Sequence, residues 1–453
     1  MTPPLFVLLT LLATVLAVIR RGTPWTFARI YIPFILLVPS GILLEVRGLT
    51  ELSPQRAVTV GIFLGSLLSG RIRELVPSWR KLDLWMLAIV LSYSVSFGLA
   101  TDLKGFFHRL VTQSLDWGLP YLYARTVFRD LSGLRAVLPP LAICGALLGC
   151  FSLYEARMND RLLAWIWNAL LGYPVPDFWQ NGGGMRWGFL RAFGPYPHPL
   201  VLGTILVACA PLALGWSWLD RKRRLWSYFA TSALCAGVLG PISRGPILAL
   251  GLVTSVFSMA AARLPALILT GIAALAGAVV FSDTAQDLVE STEADLAQEG
   301  NTESGKYRLA LLMIYVEEIP KVGMFGDESV IGANYQAAWS IDNSFLFMYM
   351  TGGWLGGSLF LVLVAATCIR AYRALLSSSG VQRKVRACIA AAFTGLSICI
   401  ANVWFATEIA ALCFPLAALV WNQATPGWYG SPARPTSRTA GAPPAGLEAS
   451  ARR

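Results

Sequence analysis

Apolar stretches of 15 to 24 residues recur along almost the whole chain of 453 residues and constrain its fold more than any other feature. A largely uncharged stretch of about 20 residues is long enough to cross the hydrocarbon core of a bilayer as a helix. Charged residues make up only 13% of the chain, about half of what a soluble domain carries. The apolar windows are residues 5–19, 29–46, 56–70, 82–100, 109–127, 134–153, 199–217, 225–241, 245–262, 264–282, 344–367, 387–403 and 407–421.

These windows predict an all-α polytopic membrane protein with about 12 to 14 transmembrane helices, and they exclude a soluble enzyme, a disordered chain and a fibrous protein. We expect a group of N-terminal transmembrane helices over residues 1–130 and a membrane core over residues 131–424. The stretch 425–453 is dominated by Pro, Gly, Ser, Ala and Arg. Such a composition cannot bury a core, so it predicts a disordered cytoplasmic tail.

The distribution of basic residues predicts how the chain is oriented. No Lys or Arg precedes the first window, and Arg20 and Arg21 follow it, which places the N-terminus outside. Alternating sides from there puts 24 of the 36 Lys and Arg inside, with only five of the 25 Asp and Glu. The net charge of +11 is therefore interpreted as a topology signal, and no nucleic acid partner is expected. The same alternation places two long segments outside, residues 154–198 and 283–343.

The cysteine and histidine content gives no sign of a disulfide framework or a metal site. All eight cysteines fall in or at the edge of apolar windows, where they are expected to face lipid or pack. The chain contains only two histidines, His108 and His198, and no Cys-x-x-Cys pair. Neither long outer segment carries an Asp-x-Asp pair for a metal-bound nucleotide sugar. We therefore expect no metal and no cofactor.

The run from Arg191 to Pro199 leads from the first outer segment directly into the seventh window. A lone arginine at a membrane boundary can simply extend its head group to water. Here three prolines and a glycine restrict the backbone between Arg191 and His198, and a stiff loop of this kind suits a positioned site. For His198, both a positional role and a role as a base remain open.

A second candidate is Arg244, which lies where the eighth window turns into the ninth. An uncompensated arginine within an apolar stretch costs roughly 2.5–3.5 kcal/mol on insertion scales, so it is expected to face a water-filled cavity or an anionic partner. The alternative is a structural salt bridge in the hairpin.

The third candidate is the end of the second outer segment, which carries twelve acidic and three basic residues. From Thr302 the pattern predicts an amphipathic helix that ends at Pro320. Asp342 and Asn343 come immediately before the eleventh window. They are expected either to cap that helix or, in the case of Asp342, to take part in catalysis.

Taken in order, these elements resemble the O-antigen ligase and polysaccharide polymerase superfamily of bacterial envelope glycosyltransferases. The resemblance covers roughly residues 130–420. It rests on Arg191 to His198 before a span, Ser243-Arg244-Gly245 at a hairpin, a Tyr307-Arg308 helix running to Pro320 and Gly323, and Asp342-Asn343-Ser344-Phe345-Leu346 opening a span that continues with Gly352-Gly353 and Gly356-Gly357.

The resemblance implies a GT-C-like membrane fold in the bacterial inner membrane, with the active site facing the periplasm. It implies transfer of a glycan from an undecaprenyl-pyrophosphate-linked oligosaccharide to a glycan acceptor, and it allows other polysaccharide assembly proteins as partners. Arg191 and Arg244 would bind the donor pyrophosphate, with Arg308 and Asn343 as further substrate-binding residues. Asp342 or His198 would act as the base.

Ligases of this superfamily usually carry His-Asn at the end of the large outer loop, where this chain has Asp342-Asn343. That departure favours a polymerase-like function over transfer to a lipid A core. The acidic outer segment is also an awkward partner for a phosphorylated lipid.

Two other classes of function remain as alternatives. A glycolipid transporter or flippase could use Asp116, Gly118 and Pro120 within the fifth window, although no matching second half of the chain is evident. A structural membrane anchor would leave Arg191 and Arg244 without a purpose.

Overall fold

The computed structural model describes a helical protein over residues 2–45, 51–75, 80–172, 185–186, 189–261, 315, 319–326, 343–403, 405–425 and 428–429. The only paired strands in this part of the chain are β1 (Met185–Arg186) and β2 (Phe189–Leu190), which form a short antiparallel hairpin. The helices are α1 (Pro3–Arg21), α2 (Thr23–Thr26), α3 (Ile32–Leu37), α4 (Pro54–Leu68), α5 (Ile72–Leu75), α6 (Lys81–Ala100), α7 (Leu103–Gln113), α8 (Leu119–Val127), α9 (Leu131–Met158), α10 (Leu162–Leu171), α11 (Pro199–Leu219), α12 (Arg224–Gly237), α13 (Arg244–Ala261), α14 (Ser344–Leu376), α15 (Gly380–Ile400) and α16 (Thr407–Gln423).

Twelve of the thirteen predicted windows coincide with helices, and the window 264–282 lies outside the described residues. Five of the described helices are long and apolar enough to cross a membrane, as judged by length and composition: α1, α6, α9, α11 and α14. The prediction of an all-α membrane protein is confirmed at this level.

The second window is shorter as a helix than the sequence predicts. A π-helical turn, Phe27–Tyr31, joins α2 to α3, and the helix then ends at Leu37 rather than continuing to residue 46. Val38 adopts an extended conformation, with φ −104° and ψ 130°. The reason is Pro39, because a residue that precedes proline is disfavoured in the helical region.

Helix α11 forms the centre of the molecule. Of its 21 residues, 18 are buried, and it packs against α9, α12, α13 and α15. In contrast, α1 buries only a narrow stripe formed by Val7, Thr10, Thr14 and Val18 against α4. Several leucines on its other face are exposed, as expected for a helix at the lipid boundary.

Glycines allow the closest helix contacts. A Cβ atom at Gly61 or Gly65 of α4 would lie 2.7 Å from the Cβ of Thr14 or Val18 on α1. Gly237 of α12 approaches Gly149 of α9 so closely that an added Cβ would lie 2.5 Å from its Cα. Small residues spaced four apart are typical of packed helices in membranes.

Helix α14 is interrupted, although the sequence predicts a continuous span. Gly353 has φ 65° and ψ −167°, which is outside the helical region. The turn that follows the 3₁₀ helix Ile319–Lys321 packs against this break. Its carbonyls at Gly323 and Met324 accept hydrogen bonds from the N–H groups of Trp354 (3.1 Å) and Leu355 (3.0 Å). The interruption depends on a segment distant in sequence.

Segments predicted to lie on the same side of the membrane also lie at the same end of the helical bundle. We call one end the site end, defined by residues 189–198, 239–245 and 402–408, where Ala192 bonds to Gly240 and Ser344 bonds to Val403. We call the other the basic end, defined by Arg80, Arg125, Arg370, Arg373 and Arg386 with the end of α16. There Arg80 bonds to Asn422, and Arg386 to Gln423. Which end faces outside stays a prediction from charge.

Candidate functional site

The segment from Arg191 to His198 connects the β-hairpin to α11 and is fixed to several helices. The N–H of Leu190 donates to the side-chain oxygen of Asn159 at 2.7 Å, just before the segment begins. Near its end, the hydroxyl of Tyr196 donates to the carbonyls of Ile35 and Leu36, at 3.2 and 3.1 Å. These contacts support the prediction of a stiff loop, because both of its ends are held by specific hydrogen bonds.

Glu155, in the last turn of α9, holds the middle of this segment. Its side chain is buried, and its Oε2 accepts hydrogen bonds from the N–H groups of Phe193 (3.1 Å) and Gly194 (3.0 Å). Gly194 has φ 58°, a conformation that glycine adopts without steric cost. Hydrogen bonds to a carboxylate are roughly twice as strong as neutral ones. Glu155 is therefore a positioning residue for the loop.

The sequence left open whether Glu155, Arg157 and Arg186 hold a glycan or pair with each other. The structure shows that Glu155 binds the loop backbone, and a contact of Glu155 with a glycan stays a prediction. Arg157 is exposed, and the side chain of Arg186 lies outside the described part.

Arg161 adds a second contact to the same point. Its guanidinium lies 4.0 Å from the centre of the Phe193 ring, a cation–π distance. Burial lowers the pKa of Arg161 to about 10, while the negative charge of Glu155 acts in the opposite direction. Glu155, Arg161 and Phe193 thus form one buried polar and aromatic cluster behind the loop.

The two arginines singled out by the sequence lie at the same turn. This turn connects α12 to α13 through residues 238–243. The N–H of Ala192 donates to the carbonyl of Gly240 at 2.9 Å, and the Nε of Arg191 donates to the carbonyl of Pro241 at 3.0 Å. Arg244 follows three residues after Pro241 and begins α13.

The turn itself carries backbone strain. Ile242 has φ 48°, an unusual value for a β-branched residue. Its N–H is bonded to the carbonyl of Leu239 at 3.0 Å. A left-handed conformation of this kind costs of order 1–3 kcal/mol and persists only where the surroundings enforce it. It therefore marks the turn as a candidate functional element.

Arg244 is exposed, and it forms no ion pair or hydrogen bond with any described residue. The alternative was a structural salt bridge in the hairpin. Arg244 therefore has no acidic partner for such a bridge within the described residues. An exposed guanidinium beside a fixed turn is available to bind an anion.

The start of α14 lies near the same turn, because both contact residues 402–403, which follow α15. A Cβ added at Gly245 would lie 3.4 Å from the Cβ of Asn402. The next residue, Val403, accepts a hydrogen bond from the hydroxyl of Ser344 at 2.6 Å. Asn343 directly precedes Ser344. The structure thus connects three of the predicted segments, those of Arg191, Arg244 and Asn343.

Asn343 is the N-cap of α14. Its side-chain oxygen accepts hydrogen bonds from the N–H groups of Phe345 (2.9 Å) and Leu346 (3.2 Å). The capping interpretation is therefore correct for Asn343. Asp342 and Arg308 lie outside the described residues, so their roles stay predictions. Of the predicted amphipathic helix, only Tyr315 and residues 319–320 are described, and Tyr315 is helical and fully buried.

His198 also acts as a cap, at the start of α11. Its Nδ1 accepts a hydrogen bond from the N–H of Leu200 at 3.2 Å, and its ring meets Phe193 edge to face at 6.5 Å. Since Nδ1 accepts, the neutral ring carries its proton on Nε2, which can donate a hydrogen bond but cannot accept a proton, so a role as base would require Nδ1 to leave the cap. The positional role proposed for His198 is present, while a role as base is not tested.

Two buried acidic side chains at the site end, Asp116 and Glu408, have partners that the sequence did not indicate. Asp116, in a π-helical turn, forms a bidentate ion pair with Arg56 through distances of 2.9 and 2.7 Å. Glu408, at the start of α16, is buried and accepts a hydrogen bond from Ser40. Lone charges within apolar windows were the available signal, but their partners lie 60 and 368 residues away in sequence.

No family model matches the chain, and no curated protein is significantly similar to it.

Proposed function

We propose that this protein is a membrane glycosyltransferase that transfers or polymerises glycan from an undecaprenyl-pyrophosphate donor at the outer face of a bacterial inner membrane. One observation carries the proposal. Arg191 is bonded to the strained turn between α12 and α13, and the exposed Arg244 begins the helix that follows this turn. Two arginines from different parts of the chain thereby lie at one rigid element.

Such an arrangement suits a pyrophosphate leaving group. Guanidinium groups offer several N–H donors in a planar fork that matches phosphate oxygens, and they do not lose their charge. Stabilising the charge that develops on a leaving group is commonly the largest contribution to catalysis. A rigid loop is important here because the donors must be in place before the reaction begins.

The reaction would be a direct displacement. The acceptor hydroxyl oxygen forms a bond to the anomeric carbon while the bond from this carbon to the pyrophosphate oxygen breaks, and the leaving pyrophosphate stays on the lipid. The proton of the hydroxyl passes to a base, for which Asp342 is the first candidate and His198 the second. A single displacement of this kind inverts the configuration at the anomeric carbon.

A polymerase-like reaction is favoured over transfer to a lipid A core. Residues 283–343 contain twelve acidic and three basic residues, and Asp342 stands where ligases usually have histidine. A negatively charged segment would repel a phosphorylated acceptor. The sugar end of a second lipid-linked unit carries no such charge.

A transporter that moves a glycolipid without covalent chemistry is the second candidate. The observation in its favour is the interrupted helix α14, because broken helices line the substrate paths of many transporters. The pairing of Asp116 with Arg56 gives that buried carboxylate a structural partner instead of a place in a transport path.

The test is reconstitution of the purified protein in liposomes with lipid-linked repeat units extracted from its own host, without nucleotide sugar or added metal. We expect a ladder of longer lipid-linked glycans. Arg244→Ala should reduce its formation by about 100-fold or more, as expected for a residue that stabilises developing charge. The matched control is Arg221→Ala, which removes an exposed arginine at the basic end and should leave the rate unchanged.

Absence of a ladder from the wild-type protein, with lipid A core also offered as acceptor, would contradict the glycosyltransferase proposal. If the same liposomes then moved the labelled lipid between leaflets, the transporter would be the correct function. Equal rates for Arg244→Ala and Arg221→Ala would contradict the role of Arg244.

A further inference from the structure

A cavity of about 600 Å³ opens at the basic end between α14, α15 and α16. Its walls include Ile369, Arg370, Arg373, Ala374, Arg386 and Trp421, and no acidic residue is among the described residues that line it. Three arginines around one opening without a carboxylate are unusual, because like charges repel. This cavity is separate from the site end described above.

Arg370 is fixed against the wall of the cavity. Its guanidinium carbon lies 4.5 Å from the centre of the Trp421 ring. The indole N–H of Trp421 in turn donates to the hydroxyl of Thr367 at 3.0 Å, which fixes the ring. Stacking leaves the edge of a guanidinium accessible to an anion while its face is covered.

Arg386 closes the opposite side and connects the ends of two helices. Its two terminal nitrogens donate to the carbonyls of Ala374 and Gln423, both at 3.0 Å. These carbonyls belong to the last turns of α14 and α16, where the helix supplies no further backbone N–H partner. Arg386 therefore maintains the shape of the cavity.

Two arginines that line the cavity also have buried polar atoms whose bonding is incomplete. The Nε atoms of Arg370 and Arg386 are buried and form no hydrogen bond in the described structure. Leaving a buried charged donor unbonded costs more than a neutral one. Arg373, three residues after Arg370, is exposed at the rim. An arginine that only extends into water would not bury its Nε in this way.

We propose that this cavity binds the anionic phosphate group of a ligand at the basic end, with Arg370 and Arg373 as its donors and Arg386 and Trp421 as its walls. Guanidinium forks match phosphate oxygens in shape and charge. Basic pockets between membrane helices bind phospholipid head groups, and tryptophan is enriched at this depth. The phosphate belongs either to an anionic lipid or to a soluble compound, and the experiment separates these sources.

The experiment measures the thermal unfolding of the full chain in zwitterionic detergent during titration with phosphatidylglycerol, phosphatidylcholine or inorganic phosphate. Ligands that bind the folded state raise its unfolding temperature. Arg370→Gln combined with Arg373→Gln should weaken the binding of the active ligand about tenfold or more. The control combines Arg221→Gln with Lys222→Gln, two exposed cations at the same end, and should change it less than twofold.

Two further variants keep the test decisive. Arg373→Gln alone removes an exposed side chain and should leave folding intact while weakening binding about fivefold. Arg370→Lys keeps the charge but loses the planar fork and the stacking, so it should also bind more weakly.

Stabilisation by phosphatidylglycerol but not by inorganic phosphate would assign the site to a lipid head group. Stabilisation by inorganic phosphate as well, with the same loss in the variants, would assign it to a soluble phosphate. Equal effects of phosphatidylglycerol and phosphatidylcholine without any effect of phosphate would overturn the proposal. So would equal losses of binding in the double variant at Arg370 and Arg373 and in the control double variant at Arg221 and Lys222.

Discussion

Buried charged side chains support different elements at the two ends of the helical bundle. At the basic end, Arg125 is paired with Asp83, and Arg386 binds the last carbonyls of two helices. At the site end, Glu155 binds the backbone of a loop, while Arg244 is exposed without a described partner. The charged groups that stabilise the fold are buried and bonded. In contrast, Arg244, which is available for a ligand, is exposed and belongs to a backbone segment that other groups hold in place.

The largest effect is expected from removing the negative charge of Asp83, the acidic member of the buried pair at the basic end. Asp83 accepts hydrogen bonds from the hydroxyl of Tyr121 and the N–H of Arg80, each at 2.6 Å, besides its contact with Arg125. Asp83→Asn would leave the buried Arg125 without a counter-charge, so the free energy of unfolding should fall by about 3–5 kcal/mol. Titration of the protein in detergent micelles with sodium dodecyl sulfate unfolds it and measures this change in the free energy of unfolding.

The control for that variant is Asp220→Asn. Asp220 and Arg223 form an exposed pair at 3.8 Å, also at the basic end, and exposed pairs contribute little to stability. If the two variants lowered the free energy of unfolding equally, the distinction between buried structural pairs and exposed charges would be wrong.

The corresponding change at the site end should act locally. Glu155→Ala removes the acceptor of two buried N–H groups, so we expect the loop to open more easily by about 2–3 kcal/mol. Hydrogen exchange at Phe193 and Gly194 should then accelerate about 30-fold to 160-fold, while exchange within α11 stays unchanged. Hydrogen-exchange mass spectrometry of peptides covering residues 189–198 and 199–219 checks both expectations.

Glu155→Gln is the matched variant, because it keeps one acceptor oxygen without the charge. It should produce a smaller acceleration than Glu155→Ala. Faster exchange throughout the protein would contradict the local role of Glu155, and no acceleration in either variant would contradict the importance of its two hydrogen bonds.

The helices could be predicted from the sequence because their determinant is local. An apolar stretch without charge forms a helix in a membrane whatever its neighbours are, since every backbone group must be bonded internally. The break in α14 could not be predicted, because its freed N–H groups are bonded by carbonyls about 30 residues earlier. Gly352-Gly353 and Gly323 were visible in the sequence, but nothing in it indicated that they meet.

For the candidate site, the sequence indicated the two arginines but not the hydrogen bonds that hold their segments in place. Arg191 and Arg244 were conspicuous because a charge in or beside an apolar window requires a reason. Their proximity depends on bonds from Arg191 and Ala192 to a turn about 50 residues away. Glu155 was visible as an acid at the end of a window, but its partners are backbone N–H groups, which leave no pattern in the side chains.

A smaller effect is expected where a single side chain caps a helix at the site end. Asn343→Ala removes the acceptor for Phe345 and Leu346 and should cost about 1 kcal/mol of stability. Asn343→Ser keeps a capping oxygen and should be close to neutral. Thermal unfolding of both variants measures the cap. If the serine variant were as stable as the wild-type protein but inactive, Asn343 would bind substrate as well, as the family resemblance implies.

The smallest expected effect concerns His198, which forms a single capping bond of 3.2 Å where Asn343 forms two, of 2.9 and 3.2 Å. His198→Ala should cost about 0.5–1 kcal/mol, and His198→Asn should restore the cap, because asparagine is among the preferred N-cap residues. Asparagine cannot accept a proton at neutral pH, so this variant separates the two roles of the imidazole. With a purely positional role, His198→Asn retains both stability and the rate of glycan transfer. A stable but inactive asparagine variant would instead identify the imidazole of His198 as the base, and Asp342 would lose that role.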